Sequence, residues 1–256
     1  MKKVRLDVEL VRRGDFDSTK DTIPFIMAGE IRVNGHVVYK RDHLVCSGDE
    51  ILILKTDEFV SRGAYKLKKA IEDFDISIYG KSAIDIGISN GGFTDYLLQN
   101  GSNLILGIDV NIMQVDYKLR QDSRVLLLKK NARYLKLEDI TFIPDIVVID
   151  VSFISVIKIL EVLKDFGKID IVSLIKPQFE VEKKDSEKGG VIKSRETRIR
   201  TLLQVKHKAE DIGFSLINFT SSGILGRKGN REYFFYLKYG QNGSIDDKII
   251  KNGIKV

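Results

Sequence analysis

Between residues 85 and 94 the chain reads Asp85-Ile86-Gly87-Ile88-Ser89-Asn90-Gly91-Gly92-Phe93-Thr94. The segment begins at the end of a short apolar run, 83–86, and overlaps the start of a run with helical character, 92–100. Glycine lets the backbone turn sharply and approach a ligand closely, and the first turn of a helix offers N–H groups that have no partner within the helix. The segment therefore predicts a strand, a ligand-binding loop and a helix in succession.

The charges around this loop narrow the choice of ligand. Its glycine spacing is not the Gly-x-Gly-x-x-Gly of dinucleotide sites, and no Gly-Lys-Ser/Thr follows as in a phosphate-binding loop. Asp85 at the loop entrance would repel a pyrophosphate but suits a ligand with ammonium and sulfonium charges. Asp109 ends the second predicted strand, where a carboxylate can accept both hydroxyls of an adenosine ribose. These features favour S-adenosylmethionine over NAD or ATP; a loop that binds nothing is the alternative.

Outward from the loop, apolar runs alternate with helical candidates. The runs lie at 83–86, 104–108, 125–128, 146–149 and 169–175, and the helical candidates at 92–100, 113–120, 154–166 and 195–211. Such alternation predicts an α/β fold, a Rossmann-like doubly wound parallel sheet with helices on both faces. The last two apolar runs, 214–221 and 232–239, leave no room for a helix between them. We therefore expect an antiparallel last strand, in a hairpin that closes the sheet edge.

The chain changes character near residue 60, and we place the domain boundary between residues 58 and 59. The front segment, 1–58, opens with helical spacing at Val4, Val8 and Val11, and residues 15–22 can cap a second helix. Two short runs in which apolar and polar residues alternate then flank Asn34-Gly35, which is a strong hairpin signal. A third strand is expected at 50–54. The pattern predicts a small α+β domain before a larger domain at 59–256.

The composition of the chain limits which partners, metal sites and cellular locations can be expected. The net charge of +6 favours a polyanionic partner, but only weakly. The single Cys46 excludes an internal disulfide framework and a cysteine-rich zinc site, and three scattered histidines predict no metal site. We expect no secretory leader, because no apolar stretch follows the charged opening residues. The most apolar region, 143–160, is interrupted by charges. We expect a cytoplasmic protein that does not cross a membrane, with a monomer as the default.

Two charged residues end otherwise apolar strands. Asp150 closes the run at 146–149, and Lys176 follows the run at 169–175. A lone charge at a strand end is usually a capping group. Ligands of doubly wound sheets, however, bind outside the carboxyl ends of the strands. Two opposite charges beside a cofactor loop therefore favour a catalytic role for this pair.

Five motifs occur in order along the chain: Val60-Ser61-Arg62-Gly63-Ala64-Tyr65-Lys66-Leu67, the 85–94 loop, Asp150-Val151-Ser152-Phe153-Ile154-Ser155, Lys176-Pro177-Gln178-Phe179-Glu180 and Gly229-Asn230-Arg231-Glu232-Tyr233. Together they resemble the TlyA family, whose members are named haemolysins and act as ribosomal RNA 2'-O-methyltransferases.

The larger domain is also similar to FtsJ-type RNA methyltransferases, which use a Lys-Asp-Lys-Glu tetrad. The resemblance implies catalytic roles for Lys66, Asp150, Lys176 and Glu232; without it, Lys66 and Glu232 would not be chosen. In this hypothesis Lys176 orients or deprotonates a ribose hydroxyl and Lys66 steadies the developing oxyanion. The predicted S-adenosylmethionine site comprises Asp85, Gly87, Ser89, Asn90, Gly91, Gly92, Phe93, Asp109, Val110 and Asn131.

The same resemblance implies that residues 1–58 form an alpha-L RNA-binding domain, like that of a small-subunit ribosomal protein. Residues 1–60 hold ten Lys/Arg against eleven Asp/Glu, so RNA binding must come from placement rather than from net charge. We predict an RNA-binding face with the acidic residues elsewhere; its members are Arg5, Arg12, Arg13, Lys20, Arg32 and Lys40. A basic stretch that includes Lys183, Lys184, Lys188 and Lys193 either follows RNA phosphates or is merely solvated.

The sequence thus predicts an S-adenosylmethionine-dependent methyltransferase for cytidine ribose in small-subunit rRNA, large-subunit rRNA or both. Ribosomal RNA or ribosomal subunits are the expected partners. A non-catalytic RNA-binding factor for ribosome assembly is one alternative. A membrane-lytic haemolysin and an NAD-dependent oxidoreductase are others.

Overall fold

The computed structural model describes residues 3–16, 18–27, 29–53, 58–181, 190–226, 228–241 and 243–254. The chain divides into two compact units, Met1–Glu58 and Phe59–Val256.

The first unit is a small α+β structure. Its elements are β1 (Val4–Arg5), α1 (Leu6–Arg12), α2 (Thr22–Met27), β2 (Ile31–Val33), β3 (His36–Val37), β4 (Leu44–Val45) and β5 (Ile51–Ile53). The strands form an antiparallel sheet in the order β3–β2–β5 and a separate antiparallel pair, β1 with β4. Asn34 and Gly35 both have positive φ, 50° and 80°, as the predicted two-residue hairpin turn requires.

The opening of this unit differs from the sequence expectation. Val4 lies in a strand rather than a helix, and Val8 is exposed. The face of α1 that packs on the core carries Leu6 and Leu10, both fully buried. A two-residue strand is too short to leave a readable period in the sequence, so the β1–β4 pair was missed.

The second unit contains a seven-stranded sheet with helices. Its elements are α3 (Gly63–Asp73), β6 (Ser82–Ile86), α4 (Gly92–Gln99), β7 (Leu104–Asp109), α5 (Tyr117–Gln121), β8 (Val125–Lys129), β9 (Ile146–Ile149), α6 (Ile157–Leu163), β10 (Asp170–Ile175), α7 (Pro177–Glu180), α8 (Arg195–Asp211), β11 (Phe214–Ser221), β12 (Tyr233–Tyr239) and α9 (Asp247–Gly253).

The strand order is β11–β12–β10–β9–β6–β7–β8. Strands β6 to β10 pair in parallel, and β12 is antiparallel to both β10 and β11. The Rossmann-like α/β fold and the antiparallel last strand are confirmed. Because β12 inserts between β10 and β11, the edge of the sheet is the earlier strand of the hairpin.

Both faces of the sheet are covered, which explains why its strands read as continuous apolar runs. Ile84, Val147 and Ile171 belong to one core with α6 and α8, whereas Ala83 and Val148 belong to the opposite core with α3 and α4. Alternate residues of each strand therefore pack on opposite layers.

Several helices differ from their predicted bounds. The predicted helix at 113–120 is a 3-10 turn, Ile112–Gln114, followed by a short α5 whose N-cap Asp116 accepts a hydrogen bond from the Lys118 N–H. The sequence did not predict α9, which buries Ile250. The predicted basic residues Lys183, Lys184 and Lys188 lie outside the described residues. No helix in the described ranges is both long enough and apolar enough to span a bilayer.

Candidate active site

A cleft of about 640 Å³ opens at the carboxyl ends of the central strands. Strands β6 and β9 are neighbours, but the chain leaves β6 toward β7 on one side and returns to β9 on the other. Such a reversal of strand order creates a crevice in which doubly wound folds bind ligands. Residues from the loops after β6, β9 and β10 line the cleft, together with residues of α3 and of the segment before β12.

The glycine-rich loop after β6 has no room for a side chain at Gly87, Gly91 or Gly92. Gly87 has φ of 86°, and a Cβ there would lie 2.4 Å from the Asp150 carbonyl oxygen. Gly91 adopts a left-handed conformation at the N-cap of α4. A Cβ on Gly92 would lie 2.1 Å from Ser61 Oγ. The loop can therefore pack against Asp150 after β9 and against Ser61 before α3 only because Gly87 and Gly92 have no side chains.

Asp85 is a buried carboxylate at the base of this loop. Its Oδ2 accepts hydrogen bonds from the Thr94 N–H at 3.1 Å and from Thr94 Oγ1 at 2.7 Å. Its Oδ1 has no hydrogen-bond partner among the residues that the structure describes. Burial, together with the nearby Asp150 and Asp109 carboxylates, raises the pKa of Asp85 to about 7, against the opposing hydrogen bonds from Thr94. A cationic group that entered the cleft would satisfy this carboxylate.

The predicted cofactor residues fall into two groups. Asp85, Gly87, Ser89, Asn90, Gly92 and Phe93 line the cleft, whereas Gly91, Asp109, Val110 and Asn131 do not. Asp109 is nevertheless tied to the loop, because its Oδ2 accepts a hydrogen bond from the Ser89 N–H at 3.0 Å. Asn131 accepts from the Arg133 N–H at 3.0 Å and caps a 3-10 turn.

The four predicted catalytic residues meet in the cleft as two ion pairs. Lys66 Nζ lies 2.6 Å from Glu232 Oε2, and these side chains are 13% and 4% exposed. Lys176 Nζ lies 2.5 Å from Asp150 Oδ1, with side-chain exposures of 12% and 26%. All four line the same cleft as the glycine-rich loop. Charges so far from water are costly unless they are paired, and the fold pairs both.

Neighbouring elements fix these side chains in place. Lys66 lies on α3 between the buried Ala64 and Leu67. Lys176 is the N-cap of α7, whose first residue is Pro177, a residue whose fixed φ suits the first turn of a helix. Glu232 directly precedes β12, and a Cβ on Gly226 would come within 2.4 Å of its Oε1.

The structure adds residues that sequence reasoning did not assign. Lys176 Nζ donates to Ser152 Oγ at 2.9 Å, and Gln178 Nε2 donates to Glu232 Oε1 at 3.2 Å. Phe153 lies in the cleft wall with φ of 64° and is 90% exposed. Ser152, Phe153 and Gln178 all lie inside the family motifs, close in sequence to Asp150 or Lys176. This proximity to the tetrad was the sequence signal that could have identified them. Arg62 and Lys228, both exposed, also line the cleft.

In the first unit, three of the predicted RNA-binding residues are ion-paired. Arg5 binds Asp7 at 2.5 Å, Arg12 binds Glu9 at 2.6 Å, and Arg13 binds Asp15 at 2.9 Å. The expectation that the acidic residues lie elsewhere is therefore wrong for these three arginines, because acids two or three positions away in the sequence reach them. The other predicted members, Lys20, Arg32 and Lys40, are exposed.

The chain is similar in sequence and in structure to known proteins. Residues 59–239 match the model of the FtsJ-like methyltransferase family. The 16S/23S rRNA (cytidine-2'-O)-methyltransferase TlyA of Mycobacterium tuberculosis is 36% identical over 99% of this chain and 96% of its own. Hemolysin A of Brachyspira hyodysenteriae is 40% identical over 90% of this chain and 98% of its own. A solved hemolysin structure from Streptococcus thermophilus superposes with a TM-score of 0.75, at 35% identity over 99% of this chain and 95% of its own. The chain belongs to the TlyA family of FtsJ-like methyltransferases.

Proposed function

We propose that this chain transfers a methyl group from S-adenosylmethionine to the ribose 2'-hydroxyl of a cytidine in ribosomal RNA. The observation that supports this most is the meeting of two lysine–carboxylate pairs in one cleft beside the glycine-rich loop. The choice of cytidine and of rRNA is based on the activity for which the TlyA relative is named. A cytoplasmic location follows from that substrate.

The residues of the cleft fit S-adenosylmethionine. The volume of the cleft, about 640 Å³, lies within the range of small-molecule sites. Asp85 offers a buried carboxylate oxygen without a partner among the described residues, which suits a cationic ligand. Gly87 lets the chain pass close by without a side chain. Asp109 does not line the cleft but is bound to the cleft loop through Ser89. It retains acceptor capacity for ribose hydroxyls, because among the described residues each of its oxygens accepts one backbone N–H, from Ser89 and from Asn111.

When bound, S-adenosylmethionine supplies an electrophilic methyl group on a sulfonium. The task of the protein is to hold a ribose hydroxyl in line with that carbon, since orientation can supply much of the acceleration. In the proposed reaction Lys176, held by Asp150 and Ser152, contacts the 2'-oxygen. As the oxygen bonds to the methyl carbon, the hydroxyl proton passes to a base at the site, either Lys176 or a water molecule. Lys66, held by Glu232, stabilises the negative charge that develops on the oxygen.

The mouth of the cleft favours a nucleic acid over a small acceptor. Arg62 and Lys228 are exposed there and form no ion pair among the described residues, so both can meet backbone phosphates. The exposed ring of Phe153 offers a surface on which a base can stack. Its centroid lies 4.8 Å from that of Phe179, which supports the ring from behind.

Residues 1–58 are proposed as an alpha-L RNA-binding domain that delivers the substrate, with residues 59–256 as the catalytic domain. Lys20, Arg32 and Lys40 are exposed and can contact RNA phosphates. Arg5, Arg12 and Arg13 can still contribute, because partly exposed arginines in ion pairs can exchange a carboxylate for a phosphate at modest cost.

The test is transfer of a tritiated methyl group to purified rRNA and ribosomal subunits, followed by primer-extension mapping of 2'-O-methyl sites. The wild-type protein should label RNA and produce a stop at a cytidine. Lys176→Ala should lose the label and the stop while remaining folded. Absence of label with wild-type protein on every form of the substrate, or equal labelling by Lys176→Ala, would refute the proposal.

A further inference from the structure

The loop after β9 and the turn after β10 run beside each other at the cleft. They follow adjacent parallel strands, in which Ile149 pairs with Ser173. At the near end, Lys176 binds both Asp150 and Ser152. This contact fastens the first residues of the loop, but by itself it leaves the remaining residues up to α6 free to move.

A second contact fastens the far end of the same loop. Glu180, the last residue of α7, accepts hydrogen bonds from Ser155 Oγ at 2.6 Å and from the Val156 N–H at 2.7 Å. Burial raises the pKa of the Glu180 carboxyl, although both hydrogen bonds oppose the shift. A partly buried carboxylate at the end of a single helical turn is stabilised by both of these hydrogen bonds. Glu180 itself does not line the cleft.

Between the two contacts lies Phe153, with its backbone in the left-handed region at φ of 64°. This conformation is unfavourable for a residue with a side chain. It persists only where the surrounding structure imposes it, and such positions cluster at functional sites. Here a loop of seven residues, 150–156, is bound at both ends to the segment 176–180, and the strained residue projects its ring from the middle.

We propose that Glu180 is a positioning residue for methyl transfer: it fastens the far end of the 150–156 loop, so that Asp150 stays against Lys176 and Phe153 is presented to the substrate. This role rests on the proposed function of the cleft. It assigns to Glu180 no contact with the reacting atoms.

The experiment compares Glu180→Ala, Glu180→Gln and Ser155→Ala in the full chain, with Glu161→Ala as the matched control. Glu161 lies on the exposed side of α6, where it pairs with Lys158. In Glu180→Ala, kcat for RNA methylation should fall about ten- to a hundredfold, because small displacements of reacting groups have effects of this size. Affinity for S-adenosylmethionine should stay within about twofold, since the 85–94 loop keeps its own contacts.

The other variants separate positioning from a general loss of structure. Glu180→Gln should recover most of kcat, because its amide can accept from Val156 and donate to Ser155. Ser155→Ala should be intermediate, and Glu161→Ala should match the wild type. Equal loss in Glu180→Gln and Glu180→Ala, or wild-type kcat in Glu180→Ala, would overturn the proposal.

Hydrogen exchange provides a readout that does not depend on activity. The Val156 amide should exchange at least tenfold faster in Glu180→Ala than in wild type, and Glu180→Gln should restore its protection. Unchanged exchange in Glu180→Ala would show that the contact does not hold the loop. A wild-type protein without activity would refute the proposed function, whereas the exchange result would still decide whether Glu180 fastens the loop.

Discussion

Lys176 Nζ lies 2.5 Å from Asp150 Oδ1, and this contact joins the ends of two adjacent parallel strands at the floor of the cleft. The same ammonium donates to Ser152 Oγ at 2.9 Å. An ion pair with Asp150 and a hydrogen bond to Ser152 therefore fix the direction of a lysine side chain that would otherwise be flexible. In the proposed reaction this direction decides where the ribose hydroxyl is held.

Asp150→Asn should lower kcat by about two to four orders of magnitude, the usual range for a positioned acid–base group. The amide keeps the shape of the carboxylate but cannot form an ion pair with Lys176. Ser152→Ala should lower kcat much less, because the ion pair between Lys176 and Asp150 remains. Single-turnover methylation measures both, and calorimetry with S-adenosylmethionine serves as the control. A Ser152→Ala effect as large as that of Asp150→Asn would contradict this ranking.

The Lys66–Glu232 pair should behave as one unit in stability measurements. Lys66→Met leaves the buried carboxylate of Glu232 without its cation, and should destabilise the protein by about 3–5 kcal/mol. The double variant with Glu232→Leu should lose less than the sum of the single changes. Urea unfolding of the four proteins gives the coupling free energy. Strict additivity would mean that the 2.6 Å ion pair contributes nothing.

Gly87→Ala should be far more disruptive than Gly80→Ala. Both glycines have positive φ, 86° and 77°, so each alanine meets the same backbone strain of about 1–2 kcal/mol. A Cβ at Gly80 meets open space, whereas one at Gly87 would lie 2.4 Å from the backbone oxygen of Asp150. Urea unfolding should show the larger loss for Gly87→Ala, and methyl transfer should fail in that variant alone. Similar losses in both would show that the loop can move aside.

Asp85 should make stability depend on pH. Its pKa rises from 3.8 to about 7 on folding, so between these values the folded protein holds more protons than the unfolded chain. The free energy of unfolding should then fall as pH rises from about 4 to about 7 and level off above that range. In Asp85→Asn this slope should be absent. Thermal unfolding without ligand measures both proteins, and identical slopes would contradict the assignment.

The same carboxyl should govern cofactor affinity. A cationic ligand needs the ionised form of Asp85, so affinity for S-adenosylmethionine should decrease as pH drops below about 7. Calorimetry from about pH 5.5 to about pH 8.5 spans the pKa of Asp85 and measures the affinity for S-adenosylmethionine directly. An affinity that is flat over the whole interval would show that Asp85 does not face the bound cation.

Arg62 and Lys228 should act through phosphates. Removing either cation should weaken RNA binding equally for different sequences. It should also make the salt dependence of log Kobs shallower by about 0.7 for each phosphate of a single strand that is no longer neutralised. Lys248→Ala is the control, because this exposed lysine on α9 does not line the cleft. Binding titrations at several salt concentrations provide the slopes. An unchanged slope in Arg62→Ala and Lys228→Ala would exclude binding of phosphates by these cations.

Much of the larger unit could be predicted because its elements have strong local signals. The strands are apolar on both faces, and the glycine loop and the strand-end charges Asp150 and Lys176 follow directly from that pattern. Lys66 and Glu232 carry no such signal: one is a helix lysine, the other precedes a strand, and 166 positions separate them. Only the family resemblance connected them before the structure did.

The missed features depend on tertiary contacts or on very short elements. The two residues of β1 pair with β4 about forty positions later, which no local period reveals. The acidic partners of Arg5 and Arg12 were visible in the sequence, but their direction was not. The positive φ of Phe153, 64°, is unfavourable for a residue with a side chain, so its own type does not predict it.

The most direct test is nucleoside mass spectrometry of rRNA incubated with the protein and S-adenosylmethionine bearing a trideuterated methyl group. Nucleosides from rRNA treated with the wild-type protein should include trideuterated 2'-O-methylcytidine. Nucleosides from rRNA treated with Asp150→Ala should include none. A trideuterated methyl group on a base rather than a ribose, or equal amounts of product with Asp150→Ala, would contradict the proposed function.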